Sequence, residues 1–332
     1  MILGASGPVL TADEIALYRN ERPWGFILFA RNIQEPSQIA DLTAMMRDAV
    51  GRPGAPVLID QEGGRVQRIR PPLAEKYPAA AELGALYGKD RELGLRASWL
   101  MSRLHAFDLM RFGINADCLP VLDVPVEGAS NVIGDRAYGF EPVMVGEMGK
   151  AAADGLTAGG MLPVMKHIPG HGRGMADSHH ELPVVKASRA ELEAHDFVPF
   201  RMLKDELMAM SAHIVFTAID PEQPATTSPK VIEEVIRGHI GFDGLLMSDD
   251  TSMNALEGTI RERARRIAGG GCDIILHCNG MMEEMKAVVE EARPLAGEAL
   301  RRAGAVEAGF GPGDGADETA LRQEFRRLFA VS

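Results

Sequence analysis

The most informative stretch of the sequence is residues 165–180, MKHIPGHGRGMADSHH, which holds four of the nine histidines. The apolar run Met161–Met165 leads into it and has the length and composition of a buried strand. Several glycines and Pro169 then disfavour regular structure, so the polar side chains are expected at a strand end and on the loop that follows. Proteins of the α/β class commonly present catalytic groups in this way.

Within this stretch, Asp177 stands two residues before His179. A carboxylate close to an imidazole can hold its tautomer, raise its pKa and make it a general acid/base. The alternative interpretation of a histidine-rich loop is a solvated turn or an incidental metal site. Lys166 and His167 lie on the strand that enters the same loop, and this concentration of polar groups favours the catalytic interpretation.

Eight short apolar runs alternate with predicted helices along the chain. The runs are Met1–Ala5, Gly25–Ala30, Pro56–Ile59, Ile114–Val121, Met161–Met165, Ala212–Ala218, Gly244–Met247 and Asp273–Leu276. Such alternation is typical of a parallel sheet, and eight strands favour a barrel over a doubly wound sheet. We therefore expect residues 1–332 to form a single α/β domain, a (β/α)8 TIM barrel with additional C-terminal helices over about 281–332.

Polar residues stand at the carboxyl ends of several of these runs. They are Arg31, Asp60, Lys166, His167, Asp249 and His277. In a parallel barrel these strand ends converge on one mouth, which is where active sites form. No Gly-x-Gly-x-x-Gly follows an early strand, so a dinucleotide cofactor is not indicated.

The segment Ser248-Asp249-Asp250 follows four residues that are expected to be buried. One acid of such a pair often faces the mouth while its neighbour caps a helix or binds the backbone. Asp249 in the first role would attack the anomeric carbon of a sugar and form a covalent intermediate. The alternative is that both acids are solvated or serve as caps.

Asp60 and Arg68 flank a glycine turn after the third run. As binding residues, Asp60 would accept hydrogen bonds from sugar hydroxyls and Arg68 would orient the ligand. The alternative is an ion pair at the surface. His213 stands near the start of the sixth run and is better explained as a core histidine with satisfied hydrogen bonds.

Taken together, the motifs resemble those of glycoside hydrolase family 3. The matching segments are Ile59-Asp60-x-Glu62-Gly63-Gly64-x-Val66-x-Arg68, Ile133-Gly134-x-Arg136, Lys166-His167-x-Pro169-Gly170-His171-Gly172, Asp177-Ser178-His179 and Ser248-Asp249-Asp250. They occur in the expected order between about Gly25 and Asn279, and they are most similar to the single-domain bacterial β-N-acetylglucosaminidases of the family. Two features depart from the pattern: Thr251 stands where leucine is usual, and residues 309–315 form a Gly-rich insertion.

The resemblance implies that Asp249 is the nucleophile, His179 the acid/base and Asp177 its dyad partner. It implies substrate-binding roles for Asp60, Arg68, Arg136, Lys166 and His167. The implied activity is that of a retaining exo-β-N-acetylglucosaminidase in peptidoglycan recycling. Its substrates would be N-acetylglucosamine-anhydro-N-acetylmuramyl peptides, from which it would release terminal β-linked N-acetylglucosamine without a metal or other cofactor.

Composition limits the partners of the chain. The net charge of −12 argues against binding to a nucleic-acid backbone. No run approaches 18 apolar residues, so no membrane partner is expected. Three scattered cysteines predict no disulfide framework. The first residues lack the features of a signal peptide, and we therefore expect a cytoplasmic protein.

Two alternative functions use the same barrel. A metal-dependent hydrolase would take its ligands from His167, His171, His179 or His277, but the early runs offer no histidine to complete such a site. A non-catalytic sugar-binding protein would retain the fold and lose the reacting groups. The presence of Asp177, His179 and Asp249 disfavours this second alternative.

Overall fold

The computed structural model describes residues 1–174 and 182–330 as an α/β fold. The strands in chain order are β1 (Ile2–Gly4), β2 (Gly25–Leu28), β3 (Val57–Ile59), β4 (Gln61–Gly63), β5 (Val66–Gln67), β6 (Ala116–Asp117), β7 (Leu162–Pro163), β8 (Met165–Ile168), β9 (Val184–Val185), β10 (Met208–Ser211), β11 (Val215–Phe216), β12 (Leu245–Asp250) and β13 (Ile274–His277). The α-helices are α1 (Ala12–Glu21), α2 (Pro36–Val50), α3 (Ala80–Lys89), α4 (Arg91–Met110), α5 (Pro142–Ala158), α6 (Arg189–Ala194), α7 (Val198–Met202), α8 (Ile260–Gly270), α9 (Met282–Val289), α10 (Gly297–Gly309) and α11 (Glu318–Ala330). A π-helix spans Val231–Ile240, and short 3-10 helices span Ala30–Asn32, Gly134–Arg136 and Ala225–Thr227.

Nine strands form one parallel sheet, in the order β7-β6-β3-β2-β1-β13-β12-β10-β8. The first and last strands of this order, β7 and β8, are separated in the chain by Val164 alone. The two edges of the sheet therefore meet at one point of the chain, and the sheet is a nearly closed barrel. The sequence predicted one strand at this point, so the observed sheet has nine strands where eight were predicted.

The sequences of the parallel strands are suited to burial on both faces of the sheet. Val57, Leu58 and Ile59 of β3 are fully buried, as expected of parallel strands covered by helices on the outside. Helices α1 and α6 begin at side-chain caps: Thr11 and Ser188 each form a capping box with a glutamate three residues later.

The predicted sixth strand, Ala212–Ala218, is wrong. The strand of the barrel at this point is β10, which pairs with β8 and β12. Within the predicted range, β11 pairs with β9 in a separate two-stranded sheet. Ala212 and Ile214 are fully buried in the core cluster on this side of the barrel, so their apolar character reflects burial and not the main sheet.

The predicted fourth strand, Ile114–Val121, is too long, because β6 covers only two of its residues. Pro120 has no N–H group and cannot extend a ladder of hydrogen bonds. Helix α8 includes Gly269 and Gly270, and Gly271 ends it with a φ of 109°.

After the barrel, where the sequence predicted additional helices, the described residues form α9, α10 and α11. The Gly-rich residues 309–315 lie between α10 and α11. Asp314 in this segment accepts a hydrogen bond from Arg103 of α4 over 2.6 Å, so the insertion is fixed to the barrel. In the part of the chain that the structure describes, no helix is long and apolar enough to cross a membrane.

Candidate active site

A cavity of about 360 Å³ lies at the carboxyl ends of the parallel strands, a volume within the range of small-molecule sites. Its lining includes six of the eight residues predicted for the site: Asp60, Arg68, Arg136, Lys166, His167 and Asp249. The other two, Asp177 and His179, lie outside the described residues. Of the six polar residues predicted at strand ends, four line this cavity: Asp60, Lys166, His167 and Asp249. Arg31 and His277 do not line it, since Arg31 donates to the backbone carbonyl of Ala5 and His277 is fully buried.

Lys166 is the central cation of the cavity. It lies on β8 and its side chain is only 2% exposed. Its Nζ atom is 2.9 Å from Asp60 Oδ1 and 2.7 Å from Glu62 Oε1. Burial lowers the pKa of Lys166, but the two carboxylates outweigh burial and hold the pKa above its ordinary value. Lys166 is therefore an ammonium ion at neutral pH.

Asp60 follows β3 directly and accepts from two cations. Arg68 Nη2 lies 2.8 Å from its second oxygen, Oδ2, and the Arg68 guanidinium stacks on the ring of Phe29. Burial raises the pKa of Asp60, but Lys166 and Arg68 outweigh burial and hold it below the ordinary value. The pair with Arg68 is mostly enclosed by the cavity, in contrast to the alternative of a surface ion pair.

Glu62 is a member of this array that the sequence reasoning did not assign to the site. Both of its oxygens accept from Arg136, each over 2.8 Å. Burial raises the pKa of Glu62, but Arg136 and Lys166 lower it to about 2. Asp60 and Glu62 are two residues apart, and this spacing puts two side chains on the same side of an extended backbone. The spacing is the signal that could have identified Glu62.

Asp249 lies near the end of β12 and accepts a hydrogen bond from the backbone N–H of Asp250 over 2.8 Å. Burial raises the pKa of Asp249, but the nearby imidazoles of His213 and His167 outweigh burial and lower it. Asp250 also lines the cavity, and its Oδ1 accepts from the backbone N–H groups of Ser252 and Cys278. Both acids therefore line the cavity and accept from backbone N–H groups, and the predicted division of roles between them stays a prediction.

Thr251, one departure from the family pattern, has a partner for its hydroxyl group. The hydroxyl donates to the backbone carbonyl of Leu276 over 2.6 Å and lies 3.2 Å from Nδ1 of His277. Thr251 and His277 are both fully buried. A threonine at this position therefore brings no unsatisfied polar group into the core.

Asp123 is a second residue that the sequence reasoning left unassigned. Its Oδ2 lies 2.7 Å from Nδ1 of His167, and its Oδ1 accepts from the backbone N–H of His171 over 2.6 Å. Burial raises the pKa of Asp123, but His167 outweighs burial and lowers it. Burial lowers the pKa of His171 to about 4, so His171 is neutral at pH 7.

His213 is the satisfied core histidine expected from the sequence. It is fully buried, its Nδ1 lies 2.9 Å from the hydroxyl of Thr226, and its Nε2 lies 3.0 Å from the carbonyl oxygen of Asp250.

Residues 1–174 and 182–330 contain no group of three histidine, cysteine, aspartate or glutamate side chains arranged to hold a metal ion.

The chain is similar in sequence to known proteins. The family model described as "Glycosyl hydrolase family 3 N terminal domain" matches residues 16–303. A protein named Beta-hexosaminidase from Alkalilimnicola ehrlichii is 40% identical over 283 residues, which are 84% of this chain and 80% of that protein.

The fold is similar to solved structures. NagZ from Neisseria gonorrhoeae in complex with N-trifluoroacetyl-D-glucosamine is 31% identical with a TM-score of 0.86, and the match covers 100% of this chain and 96% of that one. A glycoside hydrolase family 3 beta-N-acetylglucosaminidase from Paenibacillus sp. is 29% identical with a TM-score of 0.85. That match covers 98% of this chain and 66% of the Paenibacillus chain, so this chain spans about two thirds of its length.

Proposed function

Because the chain belongs to glycoside hydrolase family 3, we propose that it is a retaining exo-β-N-acetylglucosaminidase. Its substrates are muropeptides of the N-acetylglucosamine-anhydro-N-acetylmuramyl type, and it acts in the cytoplasm during peptidoglycan recycling. The catalytic unit is one (β/α)8 barrel over residues 1–332, with C-terminal helices from about 281. No metal or other cofactor takes part in the reaction.

One observation carries the proposal: the carboxylate of Asp249 shares a cavity with a dense array of charged hydrogen-bonding groups. Asp60 and Lys166 offer charged acceptors and donors of the kind that sugar hydroxyls require. Apolar residues such as Met210 and Val132 complete the lining and suit the less polar face of a sugar ring. A nucleophile beside a sugar-sized polar cavity supports glycoside hydrolysis.

In the proposed mechanism, Asp249 attacks the anomeric carbon while His179 protonates the leaving oxygen. A covalent glycosyl-enzyme forms and the leaving alcohol departs. His179 then takes a proton from water, which attacks the anomeric carbon and releases Asp249. Two inversions give net retention of the β configuration. The carboxylate of Asp177 favours the imidazolium that the first step needs.

The described part of the cavity supports an imidazole acid. A glycosidase normally uses a carboxylic acid with a raised pKa as its proton donor. Asp60, Glu62 and Asp249 all have lowered pKa values, so each is ionised and cannot donate a proton at neutral pH. The family resemblance assigns this role to His179 with Asp177, which lie outside the described residues.

The choice of substrate rests on the relatives. One is named Beta-hexosaminidase, and a solved structure of similar fold holds N-trifluoroacetyl-D-glucosamine. Both names point to 2-amino sugars. The assignment to the cytoplasm is supported by three cysteines that form no disulfide, Cys118, Cys272 and Cys278, because thiols stay reduced in that compartment.

The proposal is tested by turnover of 4-nitrophenyl N-acetyl-β-D-glucosaminide beside the corresponding β-D-glucoside. We expect rapid release from the first substrate, slow release from the second and no effect of a chelator. Loss of activity with chelator would favour the metal-dependent alternative. Binding of N-acetylglucosamine without turnover of either substrate would favour the non-catalytic alternative. Release of N-acetylglucosamine from a purified anhydro-muropeptide then tests the physiological substrate.

A further inference from the structure

Asp123 is fully buried behind the wall of the cavity and accepts three hydrogen bonds. Its Oδ1 accepts from the backbone N–H groups of His171 and His167, over 2.6 and 3.3 Å. Its Oδ2 lies 2.7 Å from Nδ1 of His167. An ionised carboxylate can only accept hydrogen bonds, so Nδ1 must carry the hydrogen of this contact.

This geometry determines what His167 offers to the cavity. His167 lines the cavity and is 6% exposed. With Nδ1 bound to Asp123, only Nε2 remains for a ligand. A neutral imidazole carries one hydrogen, and when Nδ1 holds it, Nε2 has a free lone pair. The cavity also contains the cations Lys166, Arg68 and Arg136, which are donors only, so an acceptor at this wall complements them.

We propose that Asp123 is a positioning residue that fixes His167 in the tautomer with hydrogen on Nδ1, so that Nε2 accepts a hydrogen bond from a sugar hydroxyl. The hydrogen on Nδ1 follows from the contact with the ionised carboxylate of Asp123, and the lone pair on Nε2 belongs to the neutral form of the imidazole. The contact with the sugar rests on the proposed function.

The two oxygens of Asp123 differ in their partners, and this difference makes Asp123→Asn a sharp test. The backbone N–H groups of His167 and His171 need an acceptor, so the amide oxygen of the asparagine should take the place of Oδ1. Its NH2 group then faces Nδ1 of His167 and forces that nitrogen to accept. The hydrogen moves to Nε2, and the cavity receives a donor in place of an acceptor, with almost no change in volume.

The tautomer can be read directly in protein labelled with 15N-histidine. Long-range proton–nitrogen spectra distinguish protonated from unprotonated ring nitrogens, and the His167→Gln variant identifies the signals of His167. We expect hydrogen on Nδ1 in the wild type and on Nε2 in Asp123→Asn. Hydrogen on Nε2 in the wild type, or an unchanged pattern in the variant, would overturn the proposal. The wild-type spectrum decides the tautomer even if the variant folds poorly.

Kinetics test the consequence for the substrate. A buried polar contact with a mismatched partner should reduce kcat/KM on 4-nitrophenyl N-acetyl-β-D-glucosaminide by about 10- to 100-fold. Asp273→Asn is the control, since the side chain of Asp273 is only 6% exposed but pairs with Arg237 and Arg302 instead of a residue of the cavity. Asp273→Asn should lose about as much free energy of unfolding as Asp123→Asn, but it should keep the wild-type kcat/KM.

A double-mutant cycle then separates positioning from a general structural effect. If Asp123 acts through His167, Asp123→Asn should cost no more than about 2- to 3-fold in a His167→Gln background, because coupled residues are not additive. An equal loss in both backgrounds would refute action through His167. If the wild type hydrolyses no β-N-acetylglucosaminide, the proposed function fails, and the spectra still decide the role of Asp123.

Discussion

Glu62 and Arg136 form a bidentate ion pair inside the cavity, with Nε and Nη2 of Arg136 each 2.8 Å from a different oxygen of Glu62. The two side chains are only 4% and 12% exposed. Lys166 approaches the same carboxylate at 2.7 Å. A charged group removed from water in this way needs an oppositely charged partner, because it would otherwise lose its solvation energy without compensation. Glu62 therefore holds two cations of the cavity in place.

The first prediction concerns the stability of this pair. Glu62→Ala leaves Arg136 without its carboxylate and Lys166 with Asp60 alone, and we expect a loss of about 3–5 kcal/mol in the free energy of unfolding. Urea denaturation measures this loss. The control is Glu324→Ala, which removes another bidentate partner of an arginine, Arg96, at the surface. It should change the free energy by less than about 1 kcal/mol, and equal losses would contradict the role given to Glu62.

The second prediction is the pH dependence of stability. The pKa of Glu62 is about 2 in the folded chain and 4.5 by its ordinary value, so between these values the unfolded chain binds the extra proton. Stability from this group is fully present above about pH 5 and is lost as the pH falls toward 2. Glu62→Gln should therefore lose less stability than the wild type between pH 5 and pH 3. Parallel curves from urea titrations would rule out this contribution.

The sequence reveals the residues of the site better than it reveals their packing. The predicted members Asp60, Lys166 and Asp249 reach one cavity because Asp60 follows β3, while Lys166 lies on β8 and Asp249 near the end of β12. The sequence shows these positions as boundaries between apolar and polar residues. The motifs also identified the family, as the comparisons confirm. Glu62 and Asp123 were missed as site residues because their partners lie more than 40 positions away along the chain.

Strand prediction failed where apolar residues are buried outside the main sheet. Residues 212–218 are as apolar as a central strand, but they pack beside the barrel, and β10 takes the place in the sheet. Periodicity reports whether a residue is buried and not which element buries it. The division between β7 and β8 at Val164 could not be predicted from the sequence either, because all the residues of 162–168 are buried.

The third prediction concerns the role of Asp249 as nucleophile. The lowered pKa of Asp249, due to His213 and His167 acting against burial, keeps the carboxylate ionised for attack. Proton NMR of the first-formed sugar should therefore show the β anomer, which is retention. Asp249→Asn should abolish turnover while the variant keeps its fold by circular dichroism. An α anomer as first product would indicate inversion and would remove Asp249 from this role.

The fourth prediction concerns His179, which lies outside the described residues. General acid catalysis contributes about 10²- to 10⁴-fold, and it matters most when the leaving group is a poor one such as a sugar alcohol. A nitrophenolate departs with little protonation. His179→Ala should therefore lose far more activity on a natural disaccharide than on the nitrophenyl substrate. On the latter the glycosyl-enzyme should accumulate, because water lacks its base, and a burst of nitrophenol should be followed by slow turnover.

Azide distinguishes an acid/base residue from one that only supports the fold. As an anion that needs no base, azide should attack the accumulated intermediate of His179→Ala and restore turnover of the nitrophenyl substrate. Asp177→Asn should show a milder form of the same defect, since the imidazole remains but loses its charged partner. Asp249→Asn should turn over neither substrate, and azide should not restore its activity, because this variant forms no glycosyl-enzyme intermediate. If His179→Ala reduced both substrates equally, without a burst or an azide effect, the acid/base would have to be another group on the same loop, with His180 as the nearest candidate.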